Sequence, residues 1–180
     1  MISGPSGAGK GTLVTRVRER RSNLGLTVSA TTRAPRKGEV DGVNYFFLTR
    51  EEFDRRVANG EFVEWAEVHG NCYGTLVSEV TSKLASGASL ILEIDVQGAL
   101  QVKERFPEAV LIFIKPPSLE VLRERLVGRG TETPETIELR MANAAHELAL
   151  ADRYDDVVVN DDLDHATDEL ARVLDMHERI

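Results

Sequence analysis

Near the amino terminus, glycines and one lysine have the spacing of a phosphate-binding loop. Four residues separate Gly4 from the pair Gly9-Lys10. Glycines let the backbone turn tightly and direct several N–H groups to one point, and a helix beginning near Lys10 adds the positive end of its dipole. The lysine adds a full charge. This pattern predicts a site for the β- and γ-phosphates of a nucleoside triphosphate, since a simple glycine-rich turn requires neither the lysine nor the helical periodicity that follows it.

The residue after Lys10 departs from the usual pattern. A serine or threonine there normally contacts the magnesium ion, but this chain has Gly11. Thr12 cannot simply replace it, because neighbouring helical residues point about 100° apart. We expect magnesium to be held by the phosphates and by water, with a carboxylate nearby. Asp95, at the carboxyl end of a predicted strand, is the candidate for a water-mediated contact. A solvated acid with no metal is the alternative.

The segment before the loop is short. Phosphate loops usually follow a buried strand, yet only Met1, Ile2 and Ser3 precede Gly4. We expect either that the native start lies several residues upstream or that the first strand is unusually short.

The composition excludes several classes of function. A chain of 180 residues with 42% hydrophobic content can form one sizeable core. The net charge of −8 argues against nucleic acid as a ligand, because that needs a lysine- and arginine-rich surface. The single cysteine, Cys72, excludes a disulfide framework and suits a reducing compartment. No apolar run approaches the roughly 20 residues of a membrane span, so we expect a cytoplasmic protein that does not bind membranes.

Hydrophobic periodicity predicts the elements of the first half of the chain. Predicted helices cover residues 10–21, 49–59 and 77–86, and predicted strands cover 26–31, 45–47 and 61–68. Thr49 followed by Glu52 has the spacing of a capping box at a helix start.

From residue 89 onward, strands and helices alternate. Predicted strands cover 89–95, 110–114 and 157–159, with helices between them and a closing amphipathic helix around 166–174. Ser118 is predicted to cap one helix, and Thr133 with Pro134 to start another. This alternation predicts an α/β fold with a doubly wound parallel sheet. The middle region, about 31–86, lacks the alternation and is predicted to be an inserted lobe.

Motifs along the whole chain resemble the guanylate kinase family. They are GPSGAGKGT (4–12), SATTRAPRKGEVDGVNY (29–45), EFVEWAEVHGNCYGT (61–75), LEIDVQGA (92–99), IFIKPPS (112–118), GRGTET (128–133) and VVVNDDLD (157–164). The resemblance implies transfer of the γ-phosphoryl group of ATP to GMP, and also to dGMP, with Mg²⁺ accompanying ATP, in purine nucleotide metabolism. It also implies a P-loop NTPase-like core (1–30 and 87–180), a GMP-binding α+β lobe (about 31–86) and a helical lid (about 126–140), which close over the substrates.

The resemblance places ATP on the amino-terminal loop and on one residue after the last strand: Gly4, Pro5, Ser6, Gly7, Ala8, Gly9, Lys10, Gly11, Thr12 and Asn160. Catalytic roles fall on Lys10, Arg125, Arg129 and Arg140, which would stabilise charge on the transferred group. For Arg125 and Arg140 the alternative is an ion pair on a helix surface.

GMP binding is assigned by the same resemblance to Ser29, Arg33, Arg36, Tyr45, Glu64, Tyr73, Thr75, Glu93 and Asp95. Arg33 and Arg36 are three residues apart in a proline-containing loop, so both could hold one phosphate through forked guanidinium donors. A solvated basic loop is the alternative. For Tyr73, ordinary packing in the lobe core is also possible.

Glu64 is the candidate for reading the base. Guanine presents adjacent N1–H and N2–H₂ donors, so one carboxylate can accept from both, whereas adenine would leave a buried carboxylate without a partner. Thr75 resembles the donor to the guanine carbonyl oxygen.

Two alternatives to a guanylate kinase remain at the level of sequence. One is another small-molecule kinase on the same scaffold, acting on a ribose bisphosphate or another nucleoside monophosphate. The other is a non-catalytic guanylate-kinase-like binding module, although such modules typically lack a competent phosphate loop. A monomer and a homodimer are both compatible with the sequence.

Overall fold

The computed structural model describes residues 1–87, 89–128, 130 and 133–178. The chain forms two compact units. The first contains Met1–Ser22 and Glu108–Ile180, and the second contains Asn23–Pro107.

The described residues form nine strands, seven α-helices and a short 3₁₀ helix at Ala151–Arg153. The strands are β1 (Ile2–Ser3), β2 (Leu24–Leu26), β3 (Ala30–Thr31), β4 (Phe46–Phe47), β5 (Phe62–Val68), β6 (Asn71–Leu76), β7 (Ser89–Ile91), β8 (Ile112–Lys115) and β9 (Asp156–Val159). The helices are α1 (Lys10–Arg20), α2 (Arg50–Ala58), α3 (Val77–Leu84), α4 (Val96–Arg105), α5 (Leu119–Gly128), α6 (Pro134–Leu148) and α7 (Leu163–Glu178).

A parallel three-stranded sheet organises the first unit. Its strand order is β1-β8-β9, and Ile2 pairs with Ile112. Three successive residues of β8, Ile112, Phe113 and Ile114, are fully buried, as is typical of a parallel strand covered on both faces. The apolar faces of α1 and α7 are buried as well. The core of this unit therefore surrounds the strand that precedes the phosphate loop.

The second unit contains two sheets. Strands β2 and β7 pair in parallel. The other sheet has the order β4-β3-β6-β5, with β3 parallel to β4 and antiparallel to β6. Its core residues are Ala30, Phe53, Phe62, Cys72 and Leu76. Parallel pairing in both units confirms the predicted α/β class with a parallel sheet.

The predicted strand at 26–31 is wrong as a single element. The chain leaves β2 after Leu26 and enters β3 at Ala30, and these strands belong to different sheets. Between them, the Val28 amide donates to the Glu79 side chain at 2.8 Å, so it does not take part in a strand ladder. A continuous β-type composition cannot show that a tertiary contact interrupts the strand.

Strand β6 was not predicted. It pairs with β5 in an antiparallel hairpin, in which Val68 lies opposite Asn71. The two residues between them, His69 and Gly70, have φ values of 53° and 77°. Positive φ at both central positions is typical of the tight turns that join hairpin strands. A histidine there is an uncommon turn residue, which hid the hairpin from the sequence pattern.

Three predicted helix starts are confirmed by side-chain caps. The Thr49 hydroxyl accepts from the Glu52 amide at 3.1 Å, and the Thr133 hydroxyl accepts from the Thr136 amide at 3.3 Å. The Ser118 hydroxyl accepts from Val121 N at 3.2 Å. Caps of this kind satisfy N–H groups that lack partners within the helix.

Across the residues that the structure describes, every helix is too short or too polar to span a lipid bilayer.

We predict that Phe53→Ala destabilises the second unit strongly. The Phe53 ring is fully buried, with its centroid 4.5 Å from that of Phe62 and 6.3 Å from that of Trp65. Its removal should lower the free energy of unfolding by about 3–5 kcal/mol. Urea denaturation followed by fluorescence of Trp65, the single tryptophan, measures this loss. The exposed Leu84 provides a control, since Leu84→Ala should cost less than about 0.5 kcal/mol. Equal stabilities of the two variants would contradict the prediction.

Candidate active site

Two glycines allow the phosphate loop to lie against its neighbours. Gly4 has a φ of 145°, and a Cβ atom there would lie 2.2 Å from the backbone oxygen of Ile114. Gly9 has a φ of 90°, and a Cβ atom there would lie 2.3 Å from Nδ2 of Asn160. Both the backbone conformation and the available space therefore require glycine at these positions.

Lys10 begins α1 and its side chain returns over the loop. Its ammonium group donates to the carbonyl oxygens of Gly4 at 2.6 Å and Pro5 at 3.1 Å. The N-cap residue, Gly9, has no side chain to accept from the first amides of the helix. These amides, the helix dipole and the ammonium charge together favour an anion at the loop.

Two predicted arginines and Asn160 are held at the same loop. Arg140 Nη1 donates to the Ser6 hydroxyl at 2.5 Å. Asn160 is buried, and its side-chain amide donates to the Ala8 carbonyl at 2.8 Å. Arg125 Nη2 in turn donates to the Asn160 carbonyl at 2.9 Å. The structure thus brings Lys10 and these three side chains together around one loop, although sequence places them on four separate elements.

Other residues predicted on the ATP side lie in the loop and in the first turn of α1. Gly11 and Thr12 lie in the first turn of α1 and are exposed. Gly7 lies in the loop with a φ of 94°. Arg129 lies outside the described residues.

Asp95, the predicted water-mediated metal contact, caps a helix. Its carboxylate accepts from the amides of Gln97 at 3.2 Å and Gly98 at 3.1 Å at the start of α4. Within the described part of the chain, no three acidic, histidine or cysteine side chains are grouped so that they could hold a metal ion. The structure thus gives the Asp95 carboxylate a local role at the start of α4.

In the second unit, Arg33 is paired with a carboxylate that sequence reasoning missed. Its Nη2 atom donates to both oxygens of Glu39, at 2.9 and 3.0 Å, and its guanidinium carbon lies 5.4 Å from the centroid of the Tyr45 ring. The hydrogen bond to Arg33 holds the pKa of Glu39 below its usual range. Glu39 also accepts from the Arg36 amide at 2.7 Å. One carboxylate therefore organises both predicted phosphate-binding arginines.

The predicted tyrosines lie beside this pair. The ring centroids of Tyr45 and Tyr73 are 6.1 Å apart in an edge-to-face arrangement. Burial raises the pKa of Tyr45, and the charge of Glu93 acts in the same direction. The Ser29 carbonyl accepts from Phe46 N at 2.9 Å, next to Tyr45. Predicted GMP-binding residues from three of the sequence motifs, 29–45, 61–75 and 92–99, thus come together in the second unit.

Glu64 and Thr75 lie opposite each other on β5 and β6. Their side chains are 3% and 0% exposed, respectively. Among the described residues, neither Oε1 of Glu64 nor Oγ1 of Thr75 has a hydrogen-bond partner. The pKa of Glu64 is raised to about 7, mainly by burial; the charge of Asp95 acts in the same direction, and Thr75 opposes the shift. Because buried polar groups are normally paired, these two atoms are suited to a polar ligand.

Gly98 is a second residue that sequence reasoning missed. A Cβ atom there would lie 2.3 Å from Oε2 of Glu64. The signal for Gly98 in the sequence was a glycine inside a helical pattern. Such a glycine lowers helix stability, so it often has a packing reason.

A strand, a glycine loop and a helix whose first lysine returns over the loop define a P-loop nucleotide-binding protein. The family model described as guanylate kinase matches residues 1–177, and the chain belongs to this family. It is therefore an ATP:GMP phosphotransferase.

Curated relatives and a solved structure support this membership. The guanylate kinase of Halalkalibacterium halodurans is 53% identical over 174 residues, which are 97% of this chain and 85% of the relative. The guanylate kinase of Gloeobacter violaceus is 56% identical with the same coverage. A crystal structure of guanylate kinase from Anaplasma phagocytophilum matches with a TM-score of 0.80 at 38% identity, covering 97% of this chain and 82% of that chain.

The predicted family, fold class and phosphotransferase activity are confirmed by these findings. Family membership implies ATP and GMP as substrates. The two alternatives, another small-molecule kinase and a non-catalytic binding module, are set aside.

We predict that Glu64 makes stability fall as pH rises. The folded state holds the Glu64 proton more tightly than the unfolded chain does, because the pKa rises from 4.5 to about 7 on folding. This contribution is fully present below the unfolded pKa and is lost as pH rises through the folded one. Relative to Glu64→Gln, which does not titrate, the wild type should lose about 2–3 kcal/mol of unfolding free energy between pH 5 and pH 8.

Urea titrations of both proteins at several pH values measure this difference. Parallel pH profiles of wild type and variant would show that burial does not perturb Glu64.

Proposed function

We propose that the phosphate loop, residues 4–12, binds the phosphates of ATP and that the residues around Glu64 bind GMP. The observation that carries this assignment is the pair of buried atoms without partners, Oε1 of Glu64 and Oγ1 of Thr75. Oε1 of Glu64 is an acceptor for a donor of the guanine edge, and the Thr75 hydroxyl is a donor for its carbonyl oxygen. The roles of the other residues in binding phosphate, magnesium and guanine are proposed from the contacts that these residues make.

On the ATP side, positive charge stabilises the transferred phosphoryl group. Lys10, Arg125 and Arg140 are held at the loop or at Asn160 beside it. When ATP binds, its phosphates offer stronger acceptors than the carbonyls and the hydroxyl that these side chains now contact, since bonds between two charged groups are the strong ones. Arg129 is added to this group on the resemblance alone. Asn160 supports the loop and marks the side where adenine binds.

Mg²⁺ is proposed to enter with ATP as its phosphate complex. The exposed Gly11 offers no hydroxyl, and the Asp95 carboxylate already caps α4, so a bridging water is the contact available to a metal from Asp95. When bound, Mg²⁺ neutralises charge on the β- and γ-phosphates.

The reaction needs no general base. A phosphate oxygen of GMP attacks the γ-phosphorus of ATP, a new P–O bond forms, and the bond from that phosphorus to the β–γ bridging oxygen breaks. ADP leaves with that oxygen, and the product is GDP, or dGDP from dGMP. Because the nucleophile is already anionic, the protein has to position the reactants and stabilise charge.

The GMP phosphate is proposed to bind Arg33, Arg36, Tyr45, Tyr73 and Ser29. Glu39 supplies a negative charge next to Arg33. A phosphate dianion can use the donors of Arg36, whose side chain is exposed, and share those of Arg33. The aromatic ring of Tyr45 keeps the guanidinium of Arg33 in place from one side.

Guanine is proposed to bind between Glu64 and Thr75. Its N1–H and N2–H₂ groups donate to the Glu64 carboxylate, and the Thr75 hydroxyl donates to its carbonyl oxygen. Two donors directed at the carboxylate favour its charged form, which offsets the burial that raises its pKa. Adenine would leave the carboxylate unsatisfied, so the site rejects AMP. Glu93 and Asp95 complete the ribose and guanine side.

The other expectations from sequence remain part of this proposal. Residues about 31–86 form the GMP-binding lobe and residues about 126–140 the lid, with the rest as core. The net charge of −8 supports an enzyme that binds neither nucleic acid nor membranes. The single cysteine, which is buried, suits the cytoplasm. The enzyme acts as a monomer or a homodimer.

We predict that Lys10→Ala removes most of the activity. Loss of the ammonium group should lower kcat about 100-fold or more, because one preorganised positive group at the transferred phosphoryl is removed. ADP formation at saturating ATP and GMP measures the effect. Arg20→Ala is the matched control on the same helix, since Arg20 makes an exposed ion pair with Asp168 and should change kcat less than twofold. Equal activity of both variants would remove Lys10 from the mechanism.

We predict that Glu64→Gln abolishes base discrimination. A glutamine directs an amide donor towards the donors of guanine, so kcat/KM for GMP should fall about 100-fold, while kcat/KM for AMP should not fall. The control is Glu67→Gln, an exposed glutamate on the same strand. Steady-state assays with GMP and AMP decide the point. An unchanged KM for GMP in Glu64→Gln would assign guanine recognition to other residues.

A further inference from the structure

One face of helix α4 contacts the strand that carries Glu64. Gly98, Gln101 and Arg105 are three and four residues apart, so they lie on the same side of α4. All three approach β5, which is an edge strand of the four-stranded sheet. An edge strand has backbone groups that no neighbouring strand satisfies.

Gln101 and Arg105 bond to the backbone on both sides of Glu64. Gln101 Nε2 donates to the Trp65 carbonyl at 3.0 Å, and its Oε1 atom makes a longer contact of 3.5 Å with the Trp65 amide. Arg105 Nη1 donates to the Val63 carbonyl at 2.7 Å. Side chains of α4 thus take the place of a further strand at the two residues that flank Glu64.

Gly98 provides the space for the Glu64 carboxylate itself. A Cβ atom at residue 98 would lie 2.3 Å from Oε2 of Glu64 and 3.0 Å from Oδ1 of Asp95. Gly98 is helical and does not have a positive φ, so the missing side chain matters here and not an unusual backbone conformation. The same residue donates its amide to Asp95, which fixes the start of α4 against the site.

We propose that this face of α4 positions Glu64 for guanine recognition, with Gly98 leaving room for the carboxylate and Gln101 and Arg105 fixing the β5 backbone on either side. The inference rests on the proposed role of Glu64. All three act on Glu64 or on the backbone beside it, so each is proposed as a positioning residue. Their effect should be confined to the binding of GMP.

Gly98→Ala separates positioning from folding. Alanine is a better helix former than glycine, so the melting temperature should not fall. The new methyl group meets the far end of the Glu64 side chain, so the carboxylate has to move. We expect the KM for GMP to rise about tenfold or more, with kcat and the KM for ATP within twofold, because a ground-state contact is lost.

Two results with Gly98→Ala would overturn the proposal. One is an unchanged KM for GMP. The other is a lower melting temperature together with equal changes in kcat and both KM values, which indicates a packing role alone.

Gln101→Met has a matched control in Gln97→Met. Both substitutions replace the same side chain on the same helix, but Gln97 is exposed. Gln101→Met should raise the KM for GMP about threefold to tenfold through loss of its hydrogen bonds. It should also change the emission of Trp65, the single tryptophan, whereas Gln97→Met should change neither. Equal behaviour of the two variants would refute the role of Gln101.

A double variant tests whether Gln101 acts through Glu64. If it does, Gln101→Met should add little to the rise in the KM for GMP that Glu64→Gln causes, because residues that act through one contact are not additive. Full additivity would count against the proposal. If Glu64→Gln itself leaves the KM for GMP unchanged, the proposed role of Glu64 fails. If Glu64→Gln raises this KM and neither α4 variant does, the positioning inference alone fails.

Discussion

A close approach of backbone to backbone underlies the ATP side of this enzyme. The loop that begins at Gly4 lies so near Ile114 of β8 that a single Cβ atom would reach 2.2 Å from its carbonyl oxygen. The loop can therefore follow the edge of the parallel sheet only without a side chain at this position. At the other end of the loop, the Asn160 side chain packs closely against Gly9 and donates to the Ala8 carbonyl. Once the loop lies there, Lys10 and the arginines have a fixed place at which to converge.

In the second unit, the proposed GMP site depends on one buried carboxylate, that of Glu64. Glu64 is almost fully buried and lacks a hydrogen-bond partner at Oε1 among the described residues, so its charged form is destabilised and its pKa rises to about 7. Such a group weakens the fold and is useful only if a ligand satisfies it. The hairpin of β5 and β6 brings Thr75 beside it, and α4 limits where the carboxylate can lie. In the proposed function, the stability lost by burying Glu64 is the counterpart of selectivity towards guanine.

Local signals predicted much of the fold. Helices that begin at Thr49, Ser118 and Thr133 were recognisable because a cap is a contact between residues two to three positions apart. The alternation of strands and helices after residue 89 predicted parallel pairing, because a helix between two strands returns the chain to the same end of the sheet. The break after Leu26 and the hairpin at His69 were not predicted, because the first depends on Glu79, far along the chain, and the second on a residue type that seldom adopts positive φ.

The sequence by itself determined the glycine loop for phosphate, because that depends on residue type and on spacing within one motif, and its resemblance to the family supplied the proposed roles of the arginines and of Glu64. Only the tertiary structure decided which of these groups lack partners and which are already engaged. Glu39 forms an ion pair with Arg33, and Asp95 caps α4. Oε1 of Glu64, opposite Thr75, has no hydrogen-bond partner among the described residues. Burial and hydrogen bonding depend on neighbours that are distant in the chain, which no local pattern reports.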